Sequence, residues 1–241
     1  MKRLVIIAAV AIAPFGANAQ KIGDIINGVV DGVSNNNGSG LTNADIIGGL
    51  KEALTIGSNN SSKKAAAVDG FFKNPLIKIP FPPEAKKVET LAKELGMTTQ
   101  VNKFVMTLNR AAETAAKDAA PIFVNAVKAL TINDGLQILN GGDDAATVYL
   151  RGKTETELKV KFMPVVKKAI AKVQLTRYWT PIVTKYNKIP GVIKQNPNLE
   201  DYVTTKAIEG LFKLIAQEET KIRKDPAAQV TSLLQKVFGK K

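Results

Sequence analysis

The chain has 241 residues, a net charge of +13, 45% hydrophobic residues, and neither histidine nor cysteine. Those two absences exclude Ser-His-Asp and Cys-His catalysis, histidine or thiolate zinc sites, and disulfides, so a general base near neutral pH must be a perturbed carboxylate or lysine. A domain of this size buries roughly 70% of its unfolded surface, enough to be held by packing alone.

Met1-Lys2-Arg3, the apolar run Leu4 to Ala13, and Ala17-Asn18-Ala19 follow the order of a secretory signal peptide: basic, apolar, small-x-small. The apolar run is too short for the ~20 residues of a membrane span. Cleavage after about Ala19 is expected to leave a periplasmic or secreted protein, with +11 on its side chains once Lys2 and Arg3 are lost. Residues 20–40 read as a flexible arm: a glycine-weakened amphipathic segment from Lys21 to Val33, then the linker Ser34 to Gly40.

Residues 41–241 read as one all-α domain of roughly eight to ten helices. Thr42, with Asp45 three residues later, opens a first helix whose stripe is Ile46, Ile47, Leu50, Ala53 and Leu54. The polar run Gly57 to Ser62 is expected to interrupt it before a second piece, Lys63 to Phe72. Pro75, Pro80, Pro82 and Pro83 forbid helix and predict an extended strap from Asn74 to Pro83, its apolar residues against the helical body. Helices are then expected from Glu84 to Leu95, with Gly96 as the stop, from Thr99 to Ala119, from Pro121 to Leu130, and from Asn133 to Leu139. Asp143 is placed to cap a helix through Leu150, and Thr154 with Glu157 form a capping box for the next. Pro164 is expected to restart that helix toward Tyr178, and Thr180-Pro181 to open another. Ile189-Pro190-Gly191 and Asn196-Pro197 mark a loop, Leu199 to Lys224 a long helix, and Asp225-Pro226 the start of the last.

Candidate chemistry is sparse. Ser61-Ser62-Lys63-Lys64 contains a Ser-x-x-Lys spacing, but its Lys-Thr-Gly and Ser-Asp-Asn partners are absent. Gly141-Gly142 before Asp143-Asp144 resembles a phosphate turn, yet two carboxylates at a helix N-terminus repel an anion. With Asp134 they could instead offer oxygens to a cation, although the spacing is not that of an EF-hand loop; a plain helix stop followed by a cap is the simpler reading. No metal site and no cofactor is expected.

Asn109, Arg110 and Glu113 sit on an alanine-rich helix and need partners, for which Glu218, Glu219 and Arg223 on the long helix are candidates. Together the six form either a structural network pinning the helices or the polar floor of a ligand pocket. From Arg151 to Lys188 ten basic residues face only Glu155 and Glu157. Lys167, Lys168, Lys172 and Arg177, with Trp179 at their edge, form either a solvated face or a contact for an anionic surface.

Asn109-Arg110-Ala111-Ala112-Glu113, Ile138 to Thr147, Ile77-Lys78-Ile79-Pro80, Ile222-Arg223-Lys224-Asp225-Pro226 and Leu233 to Gly239 resemble the bacterial family of domain of unknown function 4197, in that family's order. The resemblance implies an exported, single-domain helical protein and supplies no reaction, ligand or catalytic residue.

The expected function is non-enzymatic binding of an amphiphilic ligand or an anionic envelope surface. The alternatives are a carboxylate-based hydrolase of an envelope glycan, using Glu113, Glu218 or Glu219, and a structural or assembly protein of the envelope. Partners are expected among lipids or anionic envelope polymers rather than nucleic acid.

Overall fold

The computed structural model describes residues 41–195 and 198–239. The chain divides into two units, Met1–Thr42 and Asn43–Lys241. The expected leader and arm lie outside the described residues, which hold nine α-helices and no strand. The domain is all-α, and no described helix is long and apolar enough to cross a membrane.

The first helix, α1 (Asn43–Ala66), runs straight through the predicted break at residues 57–62. Its buried stripe continues past Leu54 as Gly57, Ser58, Ser61, Ser62 and Ala65. These small residues let α1 lie close to its neighbours, and that packing overrides their weak helix propensity. Ser61 is therefore buried and not a nucleophile facing a cleft. Turns follow α1, with Asp69 in the left-handed region (φ 67°), and lead into the strap. Its extended part is shorter than expected: a turn at 75–77 closes on the Asn74 carbonyl (Lys78 N–H at 2.8 Å), Pro83 opens a 3-10 turn, and only residues 78–82 lie outside helix and turn. Ile77, Ile79 and Phe81 of the strap are buried, as their apolar character predicts.

After a 3-10 turn (Pro83–Ala85), α2 (Lys86–Glu94) ends at Gly96, which takes φ 78°. There the Gly96 and Met97 N–H groups donate to the Lys93 and Ala92 carbonyls at 3.0 and 2.8 Å, the paired bonds of a left-handed helix stop. Next come α3 (Thr98–Ala116), α4 (Ala119–Lys128) and α5 (Ile132–Leu139). The Ala111, Ala112, Ala115 and Ala116 side chains of α3 are wholly buried.

The largest departure from the sequence reading is α6 (Ala145–Lys172), a single helix of 28 residues and about 42 Å. Thr154 does not cap anything; its hydroxyl donates to the Leu150 carbonyl at 2.6 Å inside the helix. Pro164 does not restart the helix either, although its missing N–H deprives the Val160 carbonyl of the usual donor. The buried series Leu150, Leu158, Phe162, Val166 and Ala169 crosses both sites and holds the helix together. A left-handed Gln174 (φ 53°) then turns the chain into α7 (Leu175–Asn187), which starts five residues before the predicted Thr180-Pro181.

The long helix α8 (Glu200–Lys224) packs against α1, α3 and α6. Asp225-Pro226 opens only a 3-10 turn, and Thr231 caps the last helix, α9 (Ser232–Phe238). Helices α6 and α8 run antiparallel: Lys159 meets Asp201 at one end, and Glu219 meets Ala146 at the other.

Candidate functional site

The six residues read as a possible polar pocket divide into separate arrangements. Asn109 of α3 holds the strap: its Oδ1 accepts from the Ile79 N–H at 2.8 Å, and its Nδ2 donates to the Ile79 and Val105 carbonyls, also at 2.8 Å. One turn on, Glu113 Oε1 accepts from the Phe71 and Phe72 N–H groups at 3.1 Å. Its Oε2 accepts from Arg110 Nη1 at 2.6 Å, and Arg110 Nη2 donates to Asp69 at 2.6 Å. Lys73 and Arg110 hold the Asp69 carboxyl below its ordinary range. The triplet thus replaces the backbone partners that a non-helical buried segment lacks. Gly210 of α8 completes the seat, because a Cβ there would lie 2.8 Å from the Phe71 ring.

Glu219 and Arg223 make a second arrangement on α8. Glu219 accepts from the Ala146 N–H at 2.9 Å, and from the Thr147 N–H and hydroxyl at 2.8 and 2.7 Å. It is therefore the acceptor for the exposed N–H groups of α6, a role the sequence reading gave to Asp143. Asp143 instead pairs with Lys224, and Asp144, at the N-cap position, makes no side-chain cap bond. Arg223 pairs with Glu219 at 2.9 Å and donates to the Ile138 carbonyl at 3.0 Å. The void beside this pair holds about 10 Å³, at most a single water. Glu218 stands apart, accepting from Asn60 at 3.2 Å and meeting Lys221 at 3.3 Å.

Asp134, the third oxygen donor considered for a cation, lies in a capping box with Thr131 at the start of α5. Among the described residues no three acidic side chains converge on a point. Hydrogen bonds from the Thr131 hydroxyl, Tyr149 and the Thr131 N–H lower the Asp134 carboxyl to about 2. Burial, then Asp134, raises Tyr149 to about 12. A carboxyl depressed in the folded state stabilises the fold above its unfolded value and loses that contribution as pH falls through its folded value. The Asp134 contribution should therefore be intact at pH 5 and fade toward pH 2, which carbon-detected NMR titration of its carboxyl reads directly. An ordinary aspartate midpoint near ~3.9 would show that the capping box does not persist in solution.

A groove of about 870 Å³ lies elsewhere, between α6 and α8. Val160, Met163 and Pro164 of α6 face Ile208 of α8 across its apolar part, and Val160 is 71% exposed. Arg151, Lys159 and Lys167 bring positive charge to the same groove, with Glu155 and Glu200 also lining it. Lys159 meets Asp201 at 2.8 Å, and Lys167 meets Glu200 at 3.9 Å. Such exposed pairs contribute little and separate readily. Arg151 also lies 4.8 Å over the Phe212 ring, and its Nε meets Glu155 at 3.9 Å without a hydrogen bond. Gly152 lines the groove with nothing within 4 Å of where a Cβ would stand. Sequence reasoning found the basic segment but not the groove, because Glu200, Thr205 and Ile208 complete it from forty residues further on.

Of the expected anionic-surface residues, Lys167, Lys168, Lys172 and Arg177 are exposed. Trp179 is not: it is 1% exposed. Its ring stacks on Phe104 of α3 at 4.8 Å and meets Phe81 of the strap edge-on at 5.5 Å. The spacing Leu175, Trp179, Ile182, Val183, Tyr186 is a buried helical stripe, and Trp179 belongs to it rather than to the lysines.

No curated protein and no solved structure matches the chain. A family sequence model described as "Protein of unknown function (DUF4197)" matches residues 40–239. That span covers every helix described above, from the first turn of α1 to the last turn of α9, and the chain belongs to the DUF4197 family.

Proposed function

We propose that the domain binds a single-chain anionic amphiphile in the groove between α6 and α8, without catalysis. The observation that carries this reading is the pairing of an accessible apolar wall, Val160, Met163 and Pro164, with three cationic side chains, Arg151, Lys159 and Lys167, on one groove. Arg151 is held only by a loose 3.9 Å ion pair to Glu155, so its exposed guanidinium can take an anionic headgroup. The groove volume falls within the ~300–1,000 Å³ of small-molecule sites. The order of charged, apolar and small residues before Gln20 supports a periplasmic or secreted location, where envelope lipids supply such ligands.

The hydrolase alternative receives less support. Both oxygens of Glu113 and both of Glu219 accept from backbone groups or arginine, so neither carboxylate faces a cleft as a free acid or base.

Gly152 supplies the test, because an exposed mid-helix glycine costs about 1 kcal/mol relative to alanine and no neighbour crowds it. Gly152→Ala is expected to stabilise the domain by about that amount and leave binding intact. Gly152→Trp fills the groove and is expected to abolish binding of palmitate and palmitoyl lysophosphatidylglycerol, read by native mass spectrometry of detergent-free protein. Undiminished binding by the tryptophan variant would remove the groove from consideration.

A further inference from the structure

We infer that the segment 188–195 after α7, with Ile193 outermost, is a docking element for bilayers containing anionic phospholipid. This goes beyond ligand binding in the groove and does not depend on it. Ile193 is 81% exposed, the most exposed large hydrophobic side chain among the described residues. Val192 and Ile189 beside it are only half-buried, and Lys188 and Lys194 flank the three in full solvent.

The loop is built rather than slack. Asn187, the last residue of α7, clasps its far side: Nδ2 donates to the Gln195 carbonyl at 3.1 Å, and Oδ1 accepts from the Gln195 N–H at 2.9 Å. The Gln195 side chain then donates to the Ile193 carbonyl at 3.1 Å. Gly191, at φ 77°, makes the reversal that holds the apolar residues outward. These bonds fix a short closed loop whose isoleucine is turned away from a core that has ample apolar partners.

Charge identifies the occupant. Between Glu157 and Glu200 the sequence contains nine lysine and arginine residues and no acidic residue. Among the described residues only Lys159, Lys161 and Lys167 of these meet a carboxylate, which leaves Lys168, Lys172, Arg177, Lys185, Lys188 and Lys194 without one. Lys167 faces Glu200, the first residue of α8, so the start of α8 lies beside the cationic half of α6. An apolar tip between lysines, in a stretch where basic residues outnumber their acidic partners, matches the bilayer interface: isoleucine enters the acyl region while the lysine stems reach back to phosphate headgroups.

The test is flotation of the full mature protein with vesicles of phosphatidylcholine, alone or mixed with phosphatidylglycerol. Binding is expected only to the mixed vesicles and should weaken as salt is raised. Ile193→Ser is expected to reduce it about tenfold, and Lys188→Gln and Lys194→Gln about fivefold each. All three side chains are exposed, so the melting temperature should not change. Gly152→Trp should float as the wild type does, which separates this contact from the groove. Equal flotation with phosphatidylcholine alone would overturn the anionic requirement. Wild-type flotation of Ile193→Ser, alongside loss in the lysine variants, would replace the loop with a general cationic face. No flotation with either vesicle would overturn the proposal and point to an acidic protein partner.

Discussion

Replacing Glu219 by alanine is expected to cost about 3–5 kcal/mol and to lower the melting temperature by roughly 6–20 °C. The substitution strips three acceptor contacts from the first turn of α6, and no side chain there takes over, since Asp144 does not cap. It also leaves Arg223, whose side chain is 11% exposed, as a nearly buried cation without its carboxylate. Loss of one partner of a buried pair is far more harmful than loss of both. The double variant Glu219→Gln with Arg223→Met should therefore recover part of the deficit. Thermal unfolding reads the cost, and hydrogen exchange at Ala146 and Thr147 locates it. A shift under about 2 °C would show that solvent satisfies α6 without Glu219.

Trp179→Ala should be of comparable size, about 3–5 kcal/mol, because the indole fills the junction between α3, α7 and the strap. A surface tryptophan at the edge of a lysine field would instead change stability by no more than about 0.5 kcal/mol. As the chain's one tryptophan, it reports on itself: its emission should be blue-shifted and resist acrylamide quenching. Trp179→Phe should cost less, since it keeps ring contact with Phe104 and removes an indole N–H that has no acceptor. Chemical denaturation of the two variants decides between core and surface.

The elements the sequence revealed are those whose signals are local. Prolines forbade helix in the strap, Gly96 stopped α2, and Asn109, Arg110 and Glu113 were conspicuous among alanines because polar groups in such company need partners. What failed was the inference from punctuation. Ser58, Ser61 and Ser62 read as a polar break in the helix, although they continue the i, i+3, i+4 stripe of α1; their small size is a packing feature against neighbours distant in sequence. Thr154 and Pro164 carry the chemistry of a helix start, yet the stripe from Leu150 to Ala169 passes through both and decides the matter. The partners of the polar residues were not legible, because nothing local links Asn109 to Ile79 or Glu219 to Ala146. The groove was invisible for the same reason, being a relation between two helices rather than a motif in either.

The two ends of the helical unit also meet. Lys236 of α9 pairs with Asp45 of α1 at 2.7 Å, and Leu234 packs with Ala53 and Ile222. Helix α1 therefore finds α8 and α9 only when synthesis is nearly complete. Until then α3, α4 and α5 cover only part of the stripe from Ile46 to Leu54, and closing the intervening chain is an entropic barrier that local helix formation does not remove. Nascent chains of this protein are expected to keep the α8-facing side of α1 uncovered until α8 is made, a surface that suits binding by holdase chaperones.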